Sequence, residues 1–188
     1  MARGPSPRPG MFAANANDIS TLPDPGKCLP NVRDFIQAHW AEARRIAAGL
    51  GHDVTPTEVL ATAGNETHYG DLSYAMVRNG NFFGLHGSGP AGTYYTTGTV
   101  TDPRTGKKVH TATAKFPPDQ GFAMSGDVFL RKQAPAMTPG LGRHPVDFFT
   151  VLNHNGYATG NPNYPAIMTN PTGRRGPYTL ARACTGQP

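Results

Sequence analysis

Acidic residues are scarce in this sequence, and glutamate is the scarcer of the two types. The 188 residues include 12 aspartates and glutamates against 17 lysines and arginines, so the formal net charge is +5. A charge of this sign suits an anionic partner such as a cell-wall polymer, a nucleic acid or an acidic protein. The basic residues are scattered, however, and gather only into pairs at Arg174–Arg175 and Lys107–Lys108. Because nucleic-acid-binding proteins concentrate basic residues on one face, we do not expect a nucleic-acid partner.

Long apolar runs are also missing. No stretch approaches the roughly 18 apolar residues that a membrane span needs, so we expect no such span. The N-terminal sequence MARGPSPRPGMFAANAND lacks the apolar core of about 7–15 residues that defines a secretory signal. The chain is rich in loop-forming residues, with 23 glycines and 19 prolines. We predict a flexible, Pro-rich leader over residues 1–27 and a single domain over residues 28–188.

Cysteine is limited to Cys28 and Cys184, which lie near opposite ends of the predicted domain. An isolated pair of this kind is typical of a single disulfide that ties two ends of a chain together in an oxidising compartment. The alternative is a pair of unrelated thiols. Both interpretations stay open at the level of the sequence.

The clearest helix start in the chain opens the segment TPTEVLATAGNETHYG, residues 55–70. Thr55 is suited to the N-cap, Pro56 stands at the first helical position, and Glu58 follows the cap by three residues. This pattern is a capping box with proline at a position where proline is tolerated. Gly70 supplies a left-handed end to the helix.

Only three glutamates are present, and Glu66 is the one without a structural role. Glu58 is used by the cap, and Glu42 stands among arginines on a polar face. Val59, Ala63 and Glu66 share one face of the helix, so the carboxyl points towards the protein body. Burial and the negative end of the helix dipole both raise a carboxyl pKa, which suits a general acid. We therefore predict a catalytic role; the alternative is a solvated carboxyl or one paired with His68.

Helical periodicity also covers residues from about 31 to 50, 119–132, 145–153 and 162–168. Two Thr-rich, β-branched segments, 93–100 and 108–116, flank the turn DPRTG at 102–106 and predict a β-hairpin. Alternation along the second strand places Val109 and Thr111 on one face, with His110 and Ala112 on the other. The predicted fold is therefore α+β, a mostly helical body with one small hairpin lobe.

In this order, the elements resemble the glucosaminidases of glycoside hydrolase family 73, which have a lysozyme-like fold. Three segments carry the resemblance: VLATAGNETHYG (59–70), NFFGLHG (81–87) and GYATGNPNY (156–164). Each string is short, but all three occur in the family's order with a hairpin between the second and the third. The resemblance extends over roughly residues 30–170.

The resemblance implies a set of site residues. Glu66 would be the catalytic acid, and Tyr157 would line the cleft and hydrogen-bond near the reacting centre. Asn81, Phe82 and Phe83 would shape the floor of the cleft, although the two phenylalanines suit a core position better than a substrate contact. The other predicted substrate-binding residues are Tyr164, which would lie nearby, His86 and Tyr69.

This sequence departs from the family's pattern at the second acidic group. Gly160 stands where the GlyTyrAlaThr run usually continues with aspartate, and no glutamate follows Glu66. Asp102, in the predicted hairpin turn, is the nearest candidate for a second catalytic carboxylate, although a turn-forming role before Pro103 fits it equally well. Asp71 is a weaker alternative.

Two mechanisms are compatible with the implied residues. Glycoside hydrolysis normally needs an acid for the leaving oxygen and a second group at the oxocarbenium-like centre. Asp102 would activate water and give inversion of configuration. Alternatively, the N-acetyl group of the substrate, assisted by Tyr157, would give retention.

The resemblance further implies a substrate and a biological setting. The substrate would be the β-1,4 glycan of peptidoglycan, with no cofactor. A wall hydrolase made in the cytoplasm without a signal peptide needs a dedicated delivery route, and an interbacterial type VI secretion effector fits best. It would act in the periplasm of a target cell, and a periplasmic immunity protein would block its cleft.

Two other kinds of protein fit parts of the sequence. Cys28, just before a helix, and His110 together suggest a papain-like wall peptidase that cuts the peptide instead of the sugar. A non-catalytic wall-binding module is a further alternative. His68 and His86 lack the spacing of a metal-binding motif with Glu66, so we predict no metal site.

Overall fold

The computed structural model describes residues 26–101, 105–141, 144–158, 161–171 and 175–186. Within these ranges the chain forms seven α-helices and one antiparallel pair of strands, which confirms the predicted α+β fold with a mostly helical body. The elements are α1 (Pro30–Leu50), α2 (Pro56–Thr67), α3 (Ala75–Arg78), β1 (Thr93–Thr101), β2 (Lys108–Ala114), α4 (Gly121–Gln133), α5 (Pro145–His154), α6 (Tyr164–Thr169) and α7 (Pro177–Thr185).

The predicted leader falls mostly outside these ranges, because residues 1–25 are not among those described. The division into a leader over 1–27 and one domain over 28–188 therefore stays a prediction. Among the described helices, none combines the length and the apolar character that crossing a membrane requires.

Helix α2 is the centre of the helical body, with α1 and α7 packed against it. Val59, Leu60 and Ala63 of α2 are completely buried. Helix α1 presents a periodic apolar face that includes Phe35 and Ile46, both buried in the same core. The apolar spacing seen in the sequence thus buries one face of each helix and holds α2 rigidly in place.

The predicted capping box at the start of α2 is present. The backbone N–H of Thr55 donates to Glu58 Oε2 at 2.8 Å, and the N–H of Glu58 donates to Thr55 Oγ1 at 3.3 Å. The predicted end is wrong by a few residues. Helix α2 stops at Thr67, because His68 already adopts a left-handed conformation with φ of 48°.

Two helices lack a clear signal in the sequence, α3 and α7. Helix α7 begins at Pro177 after Gly176, which offers no side-chain cap. It is stabilised instead by tertiary packing, since Tyr178 and Ala181 are almost completely buried. Helix α7 lies in the C-terminal part of the chain, outside the segment that resembles the family, and it still adds buried residues to the core.

The hairpin pairs β1 with β2 in antiparallel fashion, with Tyr94 opposite Thr113 and Thr99 opposite His110. The register shifts between Tyr95 and Thr99, where β1 is irregular. The side chain of Asn81 ties the lobe to the body. Its amide donates to the carbonyls of Leu85 at 2.8 Å and Ala114 at 2.9 Å.

Cys28 and Cys184 form a disulfide in the structure, which joins the start of the domain to the last helix. A sulfur in a disulfide is not a nucleophilic thiolate. His110 lies in the hairpin, with its ring near the carbonyl of Thr96. The structure therefore contradicts the alternative in which Cys28 and His110 form a peptidase site.

Candidate active site

Glu66 lies in the last turn of α2, and its carboxyl is held on both sides. Oε1 accepts a hydrogen bond from Nδ2 of Asn65 at 3.0 Å. Oε2 lies against the backbone of Gly84, so closely that a Cβ added there would collide with it. Gly84 also has a φ of +58°, a conformation that L side chains rarely adopt. Glycine at this position therefore lets the NFFGLHG segment approach the carboxyl.

Burial raises the pKa of the Glu66 carboxyl above its ordinary value. The hydrogen bond from Asn65 opposes that effect, because it stabilises the charged form. The Tyr157 hydroxyl lies near the carboxyl and also lowers its pKa. The hydroxyl makes a close polar approach to the carboxyl, and it reaches no partner at full hydrogen-bond geometry among the described residues.

The Tyr157 ring is buried, and it packs edge-on against Phe129 with the ring centroids 5.6 Å apart. Asn153 holds the following loop by donating to the carbonyls of Ala158 at 2.8 Å and Asn161 at 3.2 Å. Ala158 itself has a φ of +54°, which is unfavourable for a residue with a side chain. The hydrogen bonds of Asn153 offset this strain and position Tyr157.

These groups border one groove of about 490 Å³, here called the Glu66 groove. Glu66 is the only carboxyl among its described lining residues, and Lys132 brings a positive charge. The lining consists of Glu66, Gly84, Leu85, His86, Lys132, Gln133, Asn155, Gly156, Tyr157 and Ala158. The arrangement places a carboxyl of raised pKa where a bound molecule can reach it, as a proton donor requires.

Three of the predicted site residues meet in the Glu66 groove: Glu66, Tyr157 and His86. They come from three separate parts of the chain, the end of α2, the segment before the hairpin and the loop after α5. Their roles in catalysis and binding stay predictions, but the structure brings them together.

Three other predicted substrate contacts do not reach the groove. Asn81 and Phe83 have no exposed surface, and Phe82 is 6% exposed. The amide of Asn81 is used by the backbone of Leu85 and Ala114. Their burial leaves these side chains almost no surface for direct contact with a molecule in the groove, and they form the packing beneath it.

The predicted contacts at Tyr69 and Tyr164 also need correction. Tyr69 is buried, and its hydroxyl donates to the carbonyl of Pro177. Tyr164 is 3% exposed and lies behind Tyr157, with the ring centroids 5.9 Å apart. Neither ring borders the Glu66 groove, and Tyr69 instead lines a second groove at the end of α2.

The second carboxylate is not found beside Glu66 among the described residues. Asp102, the leading candidate, lies outside them. Asp71 is exposed, does not line the groove, and has a pKa lowered by its hydrogen bonds with Ser73. The structure thus gives no support to Asp71 as the second catalytic group.

Sequence reasoning missed three residues that shape the site: Gly84, Asn153 and Lys132. Gly84 had a usable signal, because it lies within a matched segment, yet only the fold shows that it faces Glu66. The amide of Asn153 and the charge of Lys132 had no signal in the local pattern. Within the described part of the chain, no three His, Cys, Asp or Glu side chains are grouped as a metal site would need.

No family model and no curated protein matches the sequence. Several solved structures resemble the fold. A type VI secretion effector–immunity complex from Pseudomonas protegens gives 23% identity and a TM-score of 0.56, over 84% of this chain and 93% of that chain. A peptidoglycan hydrolase from Sphingomonas sp. A1 gives 20% identity and a TM-score of 0.55, over 82% of this chain and 88% of the other.

The third structure is the catalytic domain of the autolysin Auto from Listeria monocytogenes, at 16% identity and a TM-score of 0.54. The match covers 86% of this chain and 88% of that domain. The TM-scores establish a shared fold, whereas sequence identities this low establish nothing about activity. They confirm the prediction of a lysozyme-like fold.

Proposed function

We propose that this protein is a peptidoglycan hydrolase that cuts the β-1,4 glycan backbone, with Glu66 as the general acid. The observation that carries the proposal is the burial of one carboxyl at the edge of an open groove. Burial raises the pKa of Glu66, which favours the protonated form that a general acid needs, while the groove leaves room for a sugar at the acid.

In the proposed reaction, the proton of Glu66 passes to the glycosidic oxygen as the bond from that oxygen to the anomeric carbon breaks. Water then supplies a hydroxyl to the anomeric carbon, and its other proton restores the acid. The positive charge that develops in between needs a second group. With no other carboxyl among the described lining residues, the substrate's N-acetyl group, assisted by Tyr157, is the favoured candidate and Asp102 is the alternative.

We further propose N-acetylglucosaminidase specificity, which gives a new reducing end on N-acetylglucosamine. Muramidase specificity is the competing possibility. This finer assignment rests on the three matched segments, of which Glu66, His86 and Tyr157 line the groove. An amidase or peptidase would need a metal or a nucleophile instead.

The setting we propose is that of an antibacterial effector delivered into the periplasm of a target cell. The support is the shared fold with the Pseudomonas protegens protein, which was solved as an effector–immunity complex. A partner that inserted into the Glu66 groove would exclude the glycan from the acid. Protection of a target cell by a co-expressed partner, lost when the contact is broken, would test this.

The test of the reaction compares Glu66→Gln with Glu58→Gln on purified peptidoglycan, followed by fragment analysis. Both variants replace a glutamate of α2 by glutamine, so Glu58→Gln controls for a general effect of this substitution on the helix. We expect new reducing sugar ends from the wild type and from Glu58→Gln, and none from Glu66→Gln. The identity of the sugar at the new end decides between the two glycosidase specificities.

Other products would contradict the proposal. New amino termini would indicate a peptidase or amidase, and binding without products would indicate a wall-binding module. Glycan cleavage that survived in Glu66→Gln would remove this residue from the mechanism.

A further inference from the structure

A second groove, here called the Asn65 groove, lies directly beside the first. It measures about 470 Å³ and is bounded by the start of α1, the end of α2, α6 and the start of α7. Asn65 lines this groove, while its Nδ2 donates to Oε1 of Glu66 at 3.0 Å. Asn65 therefore links the Asn65 groove to the proposed acid.

The chemistry of the Asn65 groove differs from that of a sugar-cutting site. No described residue that lines it is acidic, and Arg175 brings a guanidinium. Three amide side chains also line it, Asn31, Asn65 and Asn170. Ile167 adds an apolar edge that is 45% exposed. Amides pair with peptide groups and a guanidinium pairs with a carboxylate, so the surface suits a short anionic peptide.

The walls of the Asn65 groove are tied together. Nη1 of Arg175 donates to the carbonyl of Lys27 at 3.1 Å, which joins the segment before α7 to the segment before α1. The disulfide between Cys28 and Cys184 joins the same segment before α1 to the end of α7. Arg175 keeps its existing contacts, and its positive charge attracts a carboxylate bound at this surface. Binding to such a preformed surface requires little ordering.

We infer that the Asn65 groove binds the carboxylate-bearing stem peptide of the glycan strand that is cut in the Glu66 groove. This inference rests on the proposed function, because the substrate is then a glycan that carries peptides. The closeness of the two grooves allows one strand to occupy both. The protein would cut glycan that bears peptides in preference to bare glycan.

The test measures binding of two soluble probes, a disaccharide–tetrapeptide fragment of peptidoglycan and the same disaccharide without its peptide. Titration calorimetry on Glu66→Gln excludes turnover during the measurement. Ile167→Glu, added in that background, places a negative charge at the groove edge. Leu72→Glu is the matched control, because Leu72 is 75% exposed and lines neither groove.

We expect Ile167→Glu to weaken binding of the tetrapeptide probe by about three- to tenfold, since like charges repel across an interface. Leu72→Glu should leave that binding within about twofold, as expected for an isolated surface charge. Arg175→Gln should weaken the same probe selectively, with partial recovery in Arg175→Lys, which restores the charge but not the planar fork. Equal affinity of the two probes for the Glu66→Gln protein would overturn the inference.

Equal weakening of both probes by Ile167→Glu, with the fold intact by thermal melting, would also overturn it. The proposed function fails by a different result. If the wild type releases no reducing ends from either peptide-bearing or peptide-free glycan, the glycosidase assignment is wrong, whatever the binding titrations show.

Discussion

Helix α2 carries a glutamate at each end, and the two glutamates differ in access. Glu58, at the N-terminal end, has no exposed surface, and its carboxyl is used by the capping box of Thr55. Glu66, at the C-terminal end, is half-buried and borders the Glu66 groove. Burial raises the pKa of both, that of Glu58 to about 8.

A raised carboxyl pKa therefore does not identify a catalytic acid in this protein. Desolvation is the largest cause at both positions. Glu58 and Glu66 differ in the packing of the backbone around their carboxyls. Gly84 allows a loop to reach Glu66 without filling the space above it, whereas Glu58 is enclosed by its own helix start and by the core. A raised pKa indicates function here only where a groove also reaches the carboxyl.

The largest expected effect separates the two glutamates by rate. Glu66→Gln should reduce peptidoglycan hydrolysis by about 100- to 10,000-fold, the usual contribution of a general acid. Glu58→Gln should keep its rate within about threefold, because glutamine still accepts the hydrogen bond of the cap. Initial rates of reducing-end release measure both. A large loss in Glu58→Gln, with its fold intact, would break the comparison.

Gly84→Ala should disturb the carboxyl of Glu66 and leave the Glu58 end of α2 unchanged. The added Cβ would collide with Oε2 of Glu66, so we expect kcat to fall by about 10- to 100-fold from misplacement of the acid. Gly87→Ala is the control, because Gly87 also has a positive φ, of +98°, but its Cβ would meet nothing within 4 Å. Backbone strain would reduce stability in both variants. Similar kcat values for the two would show that the contact with Glu66 is unimportant.

Tyr157→Phe should have a smaller effect on the rate and a diagnostic effect on its pH dependence. The hydroxyl lowers the pKa of Glu66, so its removal should raise that pKa further. Activity requires the protonated acid and declines as pH rises through this pKa, so the basic limb should move to higher pH. We expect kcat to drop by about tenfold, as for the loss of one polar group near the transition state. A basic limb that moved to lower pH would contradict this geometry.

The smallest expected effect is on stability and concerns Glu58. Its folded pKa of about 8 lies above the ordinary value of 4.5. The folded state therefore holds one more proton between these values, and stability declines as pH rises from about 4.5 to about 8. A pKa that differs by one between the folded and unfolded states corresponds to about 1.4 kcal/mol, so the free energy of unfolding changes by at most a few kcal/mol.

Thermal melting at pH 5 and pH 8 measures the effect of Glu58. Glu58→Gln should flatten the decline, because glutamine does not titrate. The same decline in Glu58→Gln and in the wild type would assign the linkage to other groups.

Local patterns in the sequence were enough for most of the fold. The capping box of Thr55 and Glu58 and the alternation around Val109 depend on neighbours within a few residues, which is why α2 and the hairpin could be predicted. Helix α7 could not, because its start lacks a side-chain cap and its stability comes from burial of Tyr178 against the body. The end of α2 was missed because His68 adopts a left-handed conformation without being glycine.

The site was predictable only at its centre. Glu66 could be identified because the other two glutamates had structural explanations. Tyr157 could be identified because it lies in GYATGNPNY, one of the three segments that resemble the family. Of the predicted substrate-binding residues, only His86 lines the Glu66 groove, since a matched segment does not show which of its side chains face inwards. Phe82 and Phe83 are consecutive, yet both are buried, because their segment is an irregular loop without alternating faces.

The sequence alone determined most of the helices, the hairpin and the one glutamate without a structural role, because these follow from spacing along the chain. Only the tertiary structure decided that the carboxyl of Glu66 meets Gly84 and Tyr157, that Glu58 is enclosed, and that a second groove lies beyond Asn65. These features depend on contacts between segments far apart in the chain. Access to a buried acid is a property of such packing, and no local pattern encodes it.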